Sequence, residues 1–394
     1  MTMLRMRIIL IRIIFPAPMN CKATSGRIAG ARGAVRRRFV RGSLSLLAAA
    51  GSHTGAAALG QDAAAAPGRG AVPGRGAAAG DAALAIRTGI AFGTRIRITI
   101  AGLAPAAADR AAGAALAEIS GIERVASLYL PQSALSRLNA TGRLEAPDAR
   151  LVDLLAAAQD WSSRSGGAFD VSVQPLWDLY AATPGAAPPS QALTSALALV
   201  DFRAIEVAPD RIRLALAGAR LTLNGIVQGF AADRALAALR AHGAECALVD
   251  AGEFAATRRD AAGTPWRIGV RDPLARAPAA VPLLLDASAL IDTIALADAA
   301  VASSSDQSFR FTADGRAHHI FDPRSGTSPP ELAGATVVAA DATSADALST
   351  ACMVLGVERS LALLAATPGA AALLVRKDGQ RVATANWCRQ AAGR

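Results

Sequence analysis

An α+β fold is predicted for this chain, a single large unit of mixed sheets and helices over residues 85–390. Three observations predict it. Stretches of two-residue alternation and stretches of helical periodicity both occur. They do not alternate in the regular order of a doubly wound sheet. No segment repeats another at a fixed period, which sets aside solenoids and propellers.

Charge separates the N-terminal segment from the rest. The chain carries 41 Lys plus Arg against 31 Asp plus Glu, a formal charge of +10. Ten of those basic residues lie in residues 1–60, which hold no Asp or Glu, so the remainder is balanced at 31 against 31. A nucleic-acid footprint on the folded part loses its main support. Residues 1–60 read as an export leader. Arg36-Arg37-Arg38-Phe39-Val40 resembles a twin-arginine signal, and the run from Leu44 to Leu59 is too short and mild for a membrane span. That route carries folded proteins, so the expected location is periplasmic. Residues 61–84, rich in Ala, Gly and Pro, read as a linker. Cys246, Cys352 and Cys388 follow no metal or disulfide spacing.

The elements follow in order. Ile86 to Ile100 alternates as two strands broken at Gly93-Thr94. Pro105 to Ser127 places Ala115, Leu116, Ile119, Ile122 and Val125 on one helical face. Residues 133–142 read as a loop from their Ser, Asn and Gly. A helix over 148–164 ends before Gly166-Gly167, a short amphipathic segment covers Val173 to Tyr180, and 182–190 is a surface loop. Strands are expected in AIEVA, RIRLAL and ARLTL after Phe202, and Asn224 to Gly229 opens a helix running to about His242. Further strands are expected at 247–250, 266–270, 281–285, 290–295, 299–303, near 318–322, and at 336–340. Helices at 342–355 and 358–366 precede two closing strands, 371–376 and 381–384.

The helix Ala342 to Leu355 carries the clearest chemistry. Thr343 is placed to cap it, and Asp346 and Thr350, four apart, share one face. A carboxylate and a hydroxyl on one rigid face suit a hard cation such as Mg2+. Small-residue turns at strand ends (Gly93, Gly166-Gly167, Gly225 to Gly229, Gly252, Ser303 to Ser305) allow backbone N–H groups to approach an anionic ligand. The chain has no GxxxxGK[ST], no GxSxG and no HExxH. His319, beside an Asp-Pro turn, is the candidate acid/base group.

FGT, SALSRLN, GGAFDVSVQPLWDLY, LNGIVQGFAADR, DAGE, WRIGVRDP, SSSDQSFRF, HHIFDPRSG and ADALSTA occur in that order between Gly89 and Arg381. Together they resemble the FAD:protein FMN transferase (ApbE-like) family. The resemblance implies an α+β fold with an FAD and Mg2+ cleft. It implies transfer of FMN from FAD to a Thr or Ser hydroxyl of an acceptor flavoprotein, with AMP leaving. By resemblance, Asp346, Thr350 and a carbonyl near Gly225 hold the metal. Phe92, Tyr129, Ala168, Phe169, Asp170, Thr222, Gln228 and Ile320 contact FAD.

Several positions depart from the family's pattern. Phe92 replaces a usual Met, Ala134 a Glu, Thr222 an Asp, and Gln228 a Lys or Glu. Gly252-Glu253 replaces Gly-Gly, and Ser303 to Ser305 replaces Thr-Ser-Gly. Two other functions remain open from the residues: hydrolysis of FAD to FMN and AMP with water as acceptor, and flavin binding without catalysis as an exported assembly factor. The resemblance also implies exported or membrane-associated acceptors.

Overall fold

The computed structural model describes residues 12–13, 84–258, 263–275 and 289–387. The leader, the linker to residue 83 and the strand expected near 281–285 lie outside the described residues, apart from the two-residue strand β1 (Arg12–Ile13).

An eight-stranded antiparallel sheet organises the chain. It runs β14-β13-β12-β11-β8-β7-β3-β2. Its members are β2 (Leu84–Ala91), β3 (Thr94–Ala101), β7 (Cys246–Asp250), β8 (Phe254–Ala256), β11 (Ala299–Ser305), β12 (Leu332–Ala339), β13 (Ala371–Arg376) and β14 (Arg381–Ala383). Its central strands are apolar on both faces; every residue of β12 is buried. Alternate residues therefore enter two different cores. Val337, Ala372 and Leu374 face the helices, whereas Val338, Ala371 and Leu373 face a second cluster with Trp266, Ile268 and Leu296. That cluster is built on β9 (Trp266–Arg271) and β10 (Leu290–Leu296), which pair in a small separate sheet with β1. The result is helix layer, large sheet, small sheet.

The helix layer comprises α1 (Pro105–Ala126) over β2, α6 (Val227–Ala241) over β7 and β8, and α7 (Ala342–Ala365) over β11 and β12. A third sheet, β4-β6-β5 (Arg143–Glu145, Arg211–Leu214, Ile205–Val207), lies beside α2 (Ala134–Thr141) and α3 (Ala149–Arg164). The two remaining helices are α4 (Gln174–Ala182) and α5 (Ser190–Leu197).

The structure corrects several local expectations. Residues 134–141 form a helix rather than a loop. Ser133 caps it, its Oγ accepting from Ser136 N at 2.9 Å, and Gly142 closes it at φ 69°. Ser before and Gly after an eight-residue segment are helix brackets as much as loop residues. The expected strand ARLTL (219–223) forms no ladder. Instead Asn139 holds Leu221 by both backbone groups, donating from Nδ2 to its carbonyl at 2.8 Å and accepting its N–H at 2.7 Å. Asn139→Ala leaves both groups unmatched and is expected to destabilise the fold by about 2 kcal/mol, read as a lower urea midpoint. The segment near 318–322 is also not a strand. Ser328 Oγ takes the N–H and carbonyl of His318, and Phe309 O takes the N–H of His319. The short strands β4 and β8 and helix α5 had no expectation.

The expected helices 342–355 and 358–366 are both present, joined at Gly356 (φ 73°) within α7. The cap is Asp341, not Thr343. Asp341 is extended, and its side chain accepts from Ser344 N at 2.7 Å. Thr343 lies inside the first turn, where its hydroxyl donates to Asp233 at 2.6 Å. The same Asp233 carboxylate accepts from Ala342 N and Thr343 N, each at 2.8 Å. Two carboxylates thus satisfy three of the donors that a helix N-terminus leaves open.

Candidate functional site

A single cavity gathers Phe92, Tyr129, Ala168, Phe169, Asp170, Thr222, Gly225, Gln228, His319, Ile320, Asp346 and Thr350. These are all the residues assigned above to the metal, to FAD or to acid/base work.

One wall is apolar and aromatic. Phe92 stands at the tip of the β2–β3 hairpin, where Ala91 pairs with Thr94 and both loop residues have positive φ (51° for Phe92, 72° for Gly93). That geometry belongs to the tight type I′ turn. The turn therefore sits at Phe92-Gly93, one residue before the expected break. Phe92 N donates to Glu123 Oε1 at 2.6 Å, which fixes a backbone conformation unusual for a bulky residue. Gly166 (φ 63°) and Gly167 (φ 79°) end α3 and turn Ala168 and Phe169 inward. Trp177 and Phe321 join this wall and belong to an aromatic cluster behind it, with Tyr180 and Phe321 centred 5.0 Å apart. Tyr129, 60% exposed, marks the rim.

Asp170 lines the cavity, but its oxygens are engaged. Oδ1 accepts from Ser172 N at 2.8 Å and Ser172 Oγ at 2.6 Å, and Oδ2 accepts from Phe202 N at 3.1 Å. Its part is to pin the loop that presents Ala168 and Phe169. Thr222 is fixed by its backbone, which donates to Val171 O at 2.8 Å.

The opposite side is polar. Asp346 is 4% exposed, and its Oδ2 accepts from Gly229 N at 3.0 Å. Burial pushes its carboxyl up to about 7, with Asp233 adding repulsion and the Gly229 N–H pulling it back. Thr350 Oγ1 lies 3.3 Å from Ser304 Oγ, which also meets Ser349 Oγ at 2.7 Å. Gly225 approaches so closely that an added Cβ would come within 3.0 Å of Thr350 Oγ1. Asp346, Thr350 and the Gly225 backbone thus bring hard oxygen donors to one cavity. Among the described residues no three His, Cys, Asp or Glu side chains gather as a cage. That donor set fits Mg2+, which keeps waters and substrate phosphates around one or two carboxylates.

The two adjacent histidines differ. His318 is fully buried, with Nε2 on Pro329 O at 3.2 Å and Nδ1 accepting from Ile320 N at 3.4 Å. Both nitrogens are used, and burial pushes it down to about 3. Between about 3 and the ordinary imidazole value of about 6.5, an unfolded chain binds a proton that folded His318 refuses. Stability therefore falls as pH drops below about 6.5, by at most about 1.4 kcal/mol per pH unit from this group. The urea midpoint of His318→Gln is expected to depend less steeply on pH between 6.5 and 4.5. His319 Nδ1 meets Phe309 O at 3.2 Å. A carbonyl only accepts, so Nδ1 carries the proton. Burial lowers the pKa of His319, which leaves it neutral with a lone pair on Nε2.

Glu253 was noted in the sequence only as a departure, yet it lines this cavity, 6% exposed. Asp233, which holds α7 from 109 positions away, left no local signal at all.

A layered α+β frame carrying a cleft with an aromatic wall and a carboxylate-and-hydroxyl side defines the flavinyl transferase class. The fold resembles the apo flavinyl transferase ApbE of Pseudomonas stutzeri, with TM-score 0.65 and 27% identity over 79% of this chain and 99% of that one. It likewise resembles the ApbE protein of Thermotoga maritima, with TM-score 0.68 and 27% identity over 78% and 99%. The chain belongs to the ApbE family, whose sequence model matches residues 92–374. The FAD:protein FMN transferase of Treponema pallidum is 34% identical over 322 residues, 74% of this chain and 84% of the relative. That of Haemophilus influenzae is 29% identical over 266 residues, 64% and 74%.

Proposed function

We infer that the chain is an FAD:protein FMN transferase. The observation that carries the reading is the meeting, in one cavity, of the aromatic wall with Asp346 and Thr350. A flat apolar wall suits a stacked ring system. An oxygen-lined side suits the charged diphosphate of the same substrate.

Mg2+ is the cation this reading assigns to Asp346, Thr350 and the Gly225 carbonyl. When bound, it supplies charge neutralisation for a diphosphate under attack. Phe92, Tyr129, Phe169 and Ile320 hold the flavin, which keeps the phosphates over the polar side. The Nε2 lone pair of His319 takes the proton of the attacking Thr or Ser hydroxyl. The oxygen of that hydroxyl bonds to the FMN phosphorus, the diphosphate P–O bond breaks, and AMP leaves with the bridging oxygen. Thr222 and Gln228 contribute no charge to the nucleotide. The acceptor is an exported or membrane-associated flavoprotein, in keeping with the basic leader and its twin-arginine pattern.

The test uses the chain from residue 84 onward alongside the full chain, with FAD, Mg2+ and an acceptor flavoprotein. AMP release matched by an FMN mass gain on the acceptor supports the transferase. AMP with only free FMN replaces it by an FAD hydrolase. FAD bound but never cleaved leaves a binding protein.

A further inference from the structure

Glu253 is delivered by the three-residue loop of the β7–β8 hairpin, in which Asp250 pairs with Phe254 and Gly252 adopts φ 104°. That turn folds the side chain inward instead of into solvent. Oε2 accepts from Ser303 N at 3.1 Å. Oε1 has no hydrogen-bond partner among the described residues, and Glu253 lines the cavity that holds Asp346. The next residue along β11, Ser304, reaches Thr350 Oγ1 at 3.3 Å. Two consecutive residues of one strand therefore tie Glu253 to the hydroxyl assigned above to the cation.

Asp346 has the same arrangement, one oxygen on Gly229 N and the other without a partner among the described residues. Glu253 and Asp346 are both buried, 6% and 4% exposed, on the same cavity, so a negative charge on either raises the cost of one on the other. Among the described residues no Lys or Arg lines the cavity to offset the pair. Two buried carboxylates facing one space need a positive charge from outside the chain, or a proton each.

We propose that Glu253 is a further ligand of the divalent cation, so that the cation is held by two carboxylates, Glu253 and Asp346, together with Thr350. The proposal rests on reading the cavity as a cation site. It extends the set that the family resemblance implied, in which position 253 had no part.

The experiment titrates Mn2+ alone into the full chain, Glu253→Gln and Asp346→Ala, and follows thermal unfolding with and without Mn2+. Glutamine keeps an acceptor for Ser303 N and removes only the charge. Glu253→Gln is expected to bind Mn2+ about tenfold more weakly or worse. Without cation it is expected to melt at or above the parent, because the repulsion has gone. It is also expected to lose most of the Mn2+-induced rise in Tm. Binding within twofold of the parent with an undiminished rise overturns the proposal. So does a cation-free Tm below the parent's, which makes the role of Glu253 structural. If the parent binds no Mn2+, or Asp346→Ala binds as the parent does, the cation-site reading falls and this proposal with it. Failure of the Glu253 arm alone leaves that reading standing.

Discussion

Asp346→Ala is expected to slow AMP release from FAD by about 1,000-fold or more, a loss of about 4 kcal/mol in transition-state stabilisation. Asp346 is an anionic member of the proposed donor set, and its neighbour Thr350 offers only a hydroxyl. Raising Mg2+ is not expected to restore the rate, since the variant lacks a ligand and not merely affinity. The fold is expected to survive. A carboxyl held near 7 by burial is protonated more readily in the folded chain than in the unfolded one. In the cation-free protein its contribution to stability is therefore present at low pH and lost as pH rises from about 4 through about 7. Removing it relieves that loss at neutral pH, so circular dichroism and the cation-free melt should match the parent or better it. An Asp346→Ala protein that releases AMP within tenfold of the parent would overturn the assignment.

Gly229→Ala is expected to have the largest effect on folding. An added Cβ would stand 2.1 Å from Ala342 O and 2.9 Å from Asp346 Cβ. The first obstacle is backbone, so no side-chain rotation relieves it. Helices α6 and α7 would have to separate at this contact, and Gly229 N would move away from Asp346 Oδ2. A loss of at least about 3 kcal/mol follows, or a fall in Tm of about 6 °C or more. A variant that melts within about 2 °C of the parent would show that the two helices are not in such close contact.

The parts of the site that were legible in the sequence lie on one element or in one short motif. Asp346 and Thr350 could be paired from spacing because the helical period places them on one face. The aromatic wall could not, since Phe92, Tyr129, Phe169 and Ile320 come from a hairpin tip, a rim and two loops that only the assembled layers bring together. The α+β class was legible because strand and helix periods stay distinct along the chain. Helix α2 was not, since Ser133 and Gly142 serve equally as loop residues and as caps. The depth of Glu253 also escaped the sequence, because exposure in a hairpin loop depends on which way the turn folds.

Among the described residues, helix α7 is the element whose apolar length would suffice to cross a membrane, and here it is the core helix under the large sheet. Its first turn is clamped by Asp233 and Asp341, and its later turns are jointed at Gly356 against Glu331. The side chains of Asp346 and Thr350 therefore cannot swing aside without disturbing the hydrophobic centre of the molecule. Any motion that admits a bulky substrate is left to the rim, where Tyr129 is 60% exposed. The chemistry sits on an anvil, and adaptability to different acceptors belongs to the rim.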